Sequence, residues 1–234
     1  MLKKHYGPDH FEVAKSLANL GVSYGNSGNL QKAKELLERA LGIKEEHYGP
    51  DHFEVASTLE DLGIIYGALG DLQKAKELLE RALAIDEKHY GLDHFQVAIA
   101  LTNLGIAYYA LGDYKKAKEL LERAFLAIRE KHYDSDHFEV TIKMINLGNA
   151  YGALGDHEKK RELLERALSI FEKYYGSNHF QVAKLLVELG IAYGALDDHE
   201  KQRELLERAL AIDKKHYGPD HSKVAKLLAE LDDI

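Results

Sequence analysis

The sequence predicts an all-α repeat protein, an α-solenoid of five antiparallel helix pairs with a short C-terminal capping helix. The first observation is a recurring stretch that reads YGPDHFEVA in its fullest form. Its tyrosine returns at positions 6, 48, 90, 133, 175 and 217, so the period is 42 residues with one step of 43. A fixed period of this size is typical of repeat architectures. The second observation is that each period holds two apolar stripes of helical spacing and no strand-like alternation.

The first helix of each repeat is predicted from the residues at its two ends. Asp51 is a candidate N-cap, and Glu54 three residues later completes a capping box. Gly70 stands where the chain must leave the helix with a positive φ, which glycine adopts at the least cost. The residues expected on the buried side of this helix are Val55, Leu59, Leu62, Ile65 and Tyr66.

The second helix follows after a tight turn. Asp71 is its candidate N-cap, and Gly91 is expected to end it before the next repeat begins. The residues expected on its inner side are Ala75, Leu78, Leu79, Ala82, Leu83 and Ile85.

Applied to the whole chain, this pattern predicts a single array over residues 1–234. The expected repeats lie at about 9–50, 51–92, 93–135, 136–177 and 178–219, and the capping helix at 220–232. The inner side of that last helix is expected to hold Val224, Leu227, Leu228 and Leu231. Residues 1–7 resemble the last turn of a second helix, so we expect the array to open without a cap, as in an excised or engineered fragment.

Three departures from the period each carry an expectation. An extra residue near Phe125 and Leu126 is expected to produce a π-bulge or a kink in the second helix of repeat three. The turn at Asp134-Ser135 lacks both glycine and proline and is expected to be looser. Asp197 replaces the turn glycine, so we expect a positive φ there at a cost of about 1 kcal/mol.

Leu62-Gly63-x-x-Tyr66, followed by Ala75, Leu79 and Ala82, resembles the tetratricopeptide repeat. The usual repeat has about 34 residues, and this chain is similar to the longer form of kinesin light chains, whose Gly-Pro-Asp-His turn matches 49–52. The resemblance implies a right-handed superhelix and a non-enzymatic scaffold that binds a peptide or helix of a partner protein in a concave groove.

Composition excludes several other function classes. The net charge of −8 argues against sequence-independent binding of nucleic acid. No apolar run is long enough to span a membrane, and we expect a cytoplasmic protein. No cysteine is present and no catalytic motif occurs, so we expect no enzyme activity, cofactor or metal. Histidines recur at two repeat positions, and a metal site at a pair such as His47 and His52 is the less favoured interpretation.

Carrying the family groove over by repeat position gives the candidate partner-binding residues. They form a mixed apolar stripe with asparagines able to pair with a peptide backbone. Kinesin light chain grooves take acidic peptides on basic walls, whereas this one offers chiefly Lys15, Lys143 and Lys184, so that cargo class is not expected. The candidates are Lys15, Asn19, Val22, Ser57, Asp61, Ile64, Ile99, Asn103, Ile106, Tyr109, Ile142, Asn146, Asn149, Lys184, Glu188 and Ile191.

The alternative is a structural or engineered module whose only partner is another copy of itself. ELLERAL occurs unchanged four times, beginning at residues 35, 77, 162 and 204, as duplication or consensus-like design would produce. In that case homo-oligomers would form through the uncapped N-terminal helix.

Overall fold

A computed structural model describes residues 10–131 and 138–234, and over these residues it contains helices and turns but no strand. The chain divides after Lys131 into two compact units, called the N-terminal unit (10–131) and the C-terminal unit (138–234). The helices of the N-terminal unit are α1 Phe11–Asn26, α2 Leu30–Tyr48, α3 Phe53–Ala68, α4 Leu72–Tyr90, α5 Phe95–Ala110 and α6 Tyr114–Lys131. Those of the C-terminal unit are α7 Phe138–Ala153, α8 His157–Tyr175, α9 Phe180–Gly194, α10 His199–Tyr217 and α11 Ser222–Asp232.

The predicted helix pairs and the short last helix are confirmed. Within each unit, turns of three or four residues separate successive helices, and each helix packs on the next. Such short connections make neighbouring helices run antiparallel. The predicted features at residues 1–7 and at Asp134-Ser135 lie outside the described residues. No helix within the described residues combines the length and apolarity needed to cross a bilayer.

The predicted turn chemistry of repeat two is confirmed. Gly70 has a φ of +88°, and the side chain of Asp71 accepts a hydrogen bond from the backbone N–H of Lys74 at 3.2 Å. Gly91, with a φ of +83°, ends α4. Glycine between the two helices and aspartate at the next N-cap therefore reverse the chain in three residues.

The predicted cap of the first helix is wrong, because a histidine takes the place expected for aspartate. His52 has an extended backbone (φ −84°, ψ 143°), and its Nδ1 accepts a hydrogen bond from the Glu54 N–H at 3.2 Å. Asp51 lies in the preceding turn, so no capping box forms. The same histidine cap recurs at His10, His94, His179 and His221.

These histidines also join one helix pair to the next through ring contacts. The imidazole of His52 stacks on the ring of Tyr48, the last residue of α2, with centroids 4.8 Å apart. A second row of histidines acts within a pair, since His89 at the end of α4 stacks on Phe53, the first residue of α3, at 4.2 Å. The histidine rows thus act as caps and packing groups. Among the described residues, no group of three or more His, Asp or Glu is arranged to hold a metal ion.

The repeated ELLERAL segment ties successive repeats together. Arg81 pairs with Glu45 of the preceding repeat at 2.6 Å, and its second amino group donates to the Pro50 carbonyl oxygen. Glu80, in the same segment, accepts a hydrogen bond from the hydroxyl of Tyr108 in the next repeat at 2.6 Å. The Arg81 pairing recurs in Arg123 with Glu87 and in Arg208 with Glu172. One segment therefore contacts both neighbouring repeats, a physical reason for its repetition.

The predicted core is confirmed with two exceptions. Val55, Leu59, Leu62 and Ile65 of α3 are buried, and so are all six residues expected on the inner side of α4. Tyr66 is only partly buried, because its hydroxyl reaches Glu38 of the preceding repeat at 2.6 Å. In α11, Val224, Leu227 and Leu231 are buried, but Leu228 is 40% exposed and the expectation for it is wrong.

The extra residue of repeat three produces no π-bulge. Helix α6 is α-helical throughout Tyr114–Lys131. Phe125 is buried, whereas Leu126 beside it is 50% exposed. The helix therefore continues through this position without a π-bulge, and the alternative kink stays a prediction.

Asp197 has a φ of +62°, and no other described residue except glycine has a positive φ. Because a side chain is strained in that conformation, Asp197→Gly is expected to raise the free energy of unfolding by about 1 kcal/mol. Urea denaturation followed by circular dichroism measures this change. The reverse exchange, Gly70→Asp, is the matched control and should destabilise by a similar amount. Equal stability of Asp197→Gly and the parent would show that the conformation carries no strain.

Candidate functional site

The first helices of three successive repeats lie side by side in the N-terminal unit. Helix α1 contacts α3, and α3 contacts α5. We call the surface formed by these helices, together with the second-helix residues between them, the first-helix face. Two pockets lie on it, one repeat apart: a first pocket of about 190 Å³ between α1 and α3, and a second of about 290 Å³ between α3 and α5.

The second pocket is apolar and uncharged. Ile64 and Ile106 form its sides, and Leu72, Ala75 and Leu79 of α4 form the rest of its wall. Asn103 is the one described lining residue with a polar side chain. Pockets of this character bind ligands mainly by burying apolar groups, while a few polar atoms fix orientation. The arrangement can therefore hold a large apolar side chain next to an amide.

The first pocket shares Ile64 with the second and adds a carboxyl group. Val22 and Ile64 face it from α1 and α3, and Asp61 lies one helical turn from Ile64. Burial raises the pKa of Asp61 to about 6, and the ammonium group of Lys44 opposes part of that rise. Burial in turn lowers the pKa of Lys44, whose Nζ donates to the backbone carbonyl of Glu54 at 2.8 Å.

The C-terminal unit has a third pocket, of about 600 Å³, between α9, α10 and α11. It lies at the same repeat position as the second pocket, but its lining is more polar. Where the second pocket has Leu72, Ala75, Asn103 and Ile106, the third has His199, Gln202, Glu230 and Asp233. Repeat symmetry of the backbone therefore does not extend to the chemistry of the pockets.

The predicted site residues separate into three groups. Val22, Asp61 and Ile64 line the first pocket, Ile64, Asn103 and Ile106 the second, and Ile191 the third. Lys15, Asn19, Ser57, Tyr109 and Lys184 are exposed but line none of these three pockets. Ile99, Ile142, Asn146, Asn149 and Glu188 are half-buried and also lie outside them.

Three isoleucines at the same repeat position are exposed, two on the first-helix face and one on α9 of the C-terminal unit. Ile64, Ile106 and Ile191 are 50%, 46% and 50% exposed. Lys143, expected to supply basic character, is instead 6% exposed. Both Lys143 and Ile191 lie in the C-terminal unit, outside the first-helix face, and the burial of Lys143 removes one of the three lysines expected to give the groove basic character.

Sequence reasoning missed the second-helix walls and the role of one glycine. A Cβ on Gly67 would have only the Ala75 Cβ within 4 Å, at 3.8 Å, so this glycine leaves space in the second pocket. A Cβ on Gly25, Gly152 or Gly194, in the same row, would lie only 2.4–2.7 Å from the side chain of Ile65, Lys160 or Gln202. The row of glycines was a usable signal, but sequence alone could not tell which of them faces open space.

A family model described as the tetratricopeptide repeat matches residues 12–88, 85–131 and 139–215. The chain belongs to the tetratricopeptide repeat family. Nearly identical repeats of a Podosopora anserina protein, assigned as a kinesin light chain, are 31% identical over 89% of this chain and 98% of theirs, with a TM-score of 0.74. BtubC (BKLC) from P. vanneervenii, at 23% identity, covers 93% of this chain and 86% of its own with a TM-score of 0.76, which shows the shared fold. No curated protein matches the sequence.

Tetratricopeptide repeat proteins are generally non-enzymatic scaffolds, and membership supports a general role in protein–protein interaction for this chain. The fold resembles that of the kinesin-light-chain-like repeats of the Podosopora anserina protein. Family membership therefore indicates that the partner is, in general, a protein. Which chemical groups of the partner bind has to be inferred from the pockets.

Proposed function

We propose that the first-helix face of the N-terminal unit binds a segment of a partner protein and that a large apolar side chain of that segment enters the second pocket. The observation that carries this proposal is the uncharged pocket between two half-exposed isoleucines, Ile64 and Ile106. Exposed apolar surface around a concave site commonly marks an interaction site. Asn103, at the edge of that pocket, supplies a donor and an acceptor for the backbone of the segment.

The proposal is tested with peptides selected from a phage-displayed library of random sequences on the intact chain. Ile64→Asp and Ile106→Asp are each expected to weaken binding by about 10-fold to 100-fold, since burial of a large aliphatic side chain is worth about 1.5–3 kcal/mol. Leu92→Asp is the matched control, because Leu92 is 60% exposed but lies outside both pockets. It should leave the affinity unchanged, and circular dichroism establishes that all variants fold.

Two outcomes would contradict the proposal. Selected peptides could bind the Ile64→Asp and Ile106→Asp variants as tightly as the parent chain. Alternatively, the library could contain no peptide whose binding depends on either isoleucine.

A further inference from the structure

The N-terminal unit buries two carboxyl groups against each other. Glu60 of α3 is 6% exposed and Asp86 of α4 is 2% exposed. A hydrogen bond joins their side chains, so one of the two must carry a proton, because two carboxylates offer only acceptors. One oxygen of Glu60, Oε1, is buried and receives no hydrogen bond from an N–H or O–H donor in the described residues.

The surroundings of the pair show which group holds the proton. Burial, followed by the charge of Asp86, raises the pKa of Glu60 to about 8. Burial also raises the pKa of Asp86, but His89 and His94 favour its charged form. Glu60 is therefore the donor and Asp86 the acceptor.

Other ionisable groups around the pair do not neutralise it. Asp61, the neighbour of Glu60 on α3, adds a further negative charge. Burial raises the pKa of Tyr90, at the end of α4, and the negative charges of Asp86, Glu54 and Glu60 raise it further. His89 and His94 are the basic groups that act on Asp86, and none acts on Glu60.

Asp86 lies on the side of α4 that is next to the following repeat. Its counterpart one repeat earlier is Lys44, which is also buried and bonds to the backbone of Glu54 in the first turn of α3. His94, which acts on Asp86, is the N-cap of α5. The carboxyl pair therefore lies where repeat two meets the start of repeat three.

Repeat two is alone among the five in having carboxyl groups at both positions. The counterparts of Glu60 are Ala18, Thr102, Ile145 and Val187. The pair is thus not required by the fold.

We propose that the Glu60–Asp86 pair makes the junction between the second and third repeats sensitive to pH. While Glu60 holds its proton, the junction is closed by a hydrogen bond. When that proton passes to solvent, two carboxylates face each other in a buried site, and their repulsion and desolvation loosen the packing of α3, α4 and α5. This inference does not depend on the proposed peptide site.

The sign of the effect follows from proton linkage. The ordinary pKa of a glutamate is about 4.5, below that of Glu60 in the folded chain. The folded state therefore binds more protons than the unfolded state, so stability falls as pH rises from about 4.5 to about 8. Most surface carboxylates act in the opposite direction, since their pairing in the folded state lowers their pKa.

The experiment measures the melting temperature of the intact chain at pH 6 and pH 9 for the parent, Glu60→Gln and Glu60→Thr. Threonine is the residue that repeat three carries at this position. The parent is expected to lose about 5 °C more than either variant between the two pH values. Comparing variants in this way cancels the titration of the histidines and of other groups. Glu77→Gln, a change at an exposed carboxylate, is the control and should behave like the parent.

Hydrogen exchange locates the effect. After correction for the intrinsic pH dependence of exchange, opening of α3–α5 should increase between pH 6 and pH 9 in the parent and not in Glu60→Gln. Helices α9 and α10 should show no such difference between the two proteins. The same loss of melting temperature in the parent and both variants, or increased opening confined to α9 and α10, would overturn the proposal.

Discussion

Replacing His52 with alanine is expected to lower the free energy of unfolding by about 2 kcal/mol. The imidazole accepts the Glu54 N–H at the start of α3, and loss of an N-cap typically costs about 1 kcal/mol. The same ring contacts Tyr48 and Phe53 at 4.8 and 4.5 Å, and such ring pairs are worth about 0.5–1.5 kcal/mol beyond their buried area. Urea denaturation monitored by circular dichroism measures the sum.

His52→Asn separates the two contributions, because asparagine is a good N-cap but has no ring. It should recover about half of the lost stability. His157→Ala is the control, since His157 begins α8 but Asp156 caps that helix. If His52→Ala and His157→Ala were equally stable, the histidine would not be acting as a cap.

Gly63→Ala is expected to destabilise the chain by about 1–2 kcal/mol, although alanine favours helix. A Cβ at this position would lie 2.7 Å from Cγ of Leu79 and 3.0 Å from its Cδ2, so α3 and α4 would have to separate. Overpacking of this kind costs about 1–3 kcal/mol, and the gain in helix propensity of about 1 kcal/mol offsets only part of it. Denaturation with urea gives the difference directly.

Two other glycines serve as matched controls. A Cβ on Gly67, one turn later, meets nothing closer than 3.8 Å, and one on Gly148, the counterpart of Gly63 in repeat four, meets nothing closer than 3.5 Å. Both alanine variants are expected to be as stable as the parent or up to about 1 kcal/mol more stable. A loss of stability in Gly67→Ala equal to that in Gly63→Ala would show that helix spacing is not the cause.

The period and the apolar stripes were sufficient to predict the helices, because the same caps, turn glycines and apolar spacing occur in successive repeats. Gly70, Asp71 and Gly91 were predictable one residue at a time, since few residues suit a positive φ or an N-cap. The helices needed no knowledge of contacts between repeats. Agreement of local and long-range signals is what makes such arrays predictable.

The histidine cap was missed for a physical reason. Propensity favours Asp51, but the turn before α3 ends one residue later, and the extended backbone of His52 directs its ring to the helix start. Stacking on Tyr48, which no propensity includes, holds the ring there. A ring contact with Tyr48, four residues earlier, thus favours the histidine over the adjacent aspartate.

The pockets and the buried carboxyl pair also could not be predicted from the sequence. Whether Gly67 opens a pocket depends on the distance to Ala75, and distances between helices are not encoded in spacing along the chain. Glu60 precedes the candidate groove residue Asp61 in the sequence, whereas the structure buries Glu60 against Asp86. Neighbouring side chains on a helix can point into different interfaces, and only the packing of a third helix shows which.

The most direct test of the central claim is the hydrogen-exchange footprint of a selected peptide on the intact chain. Binding at the first-helix face predicts slower exchange in α3 and α5, around Ile64 and Ile106, and no change in α6, α8 or α10. The same footprint should be absent from the Ile64→Asp variant. Slower exchange confined to the second helices, with α3 and α5 unchanged, would contradict the assignment of the binding face.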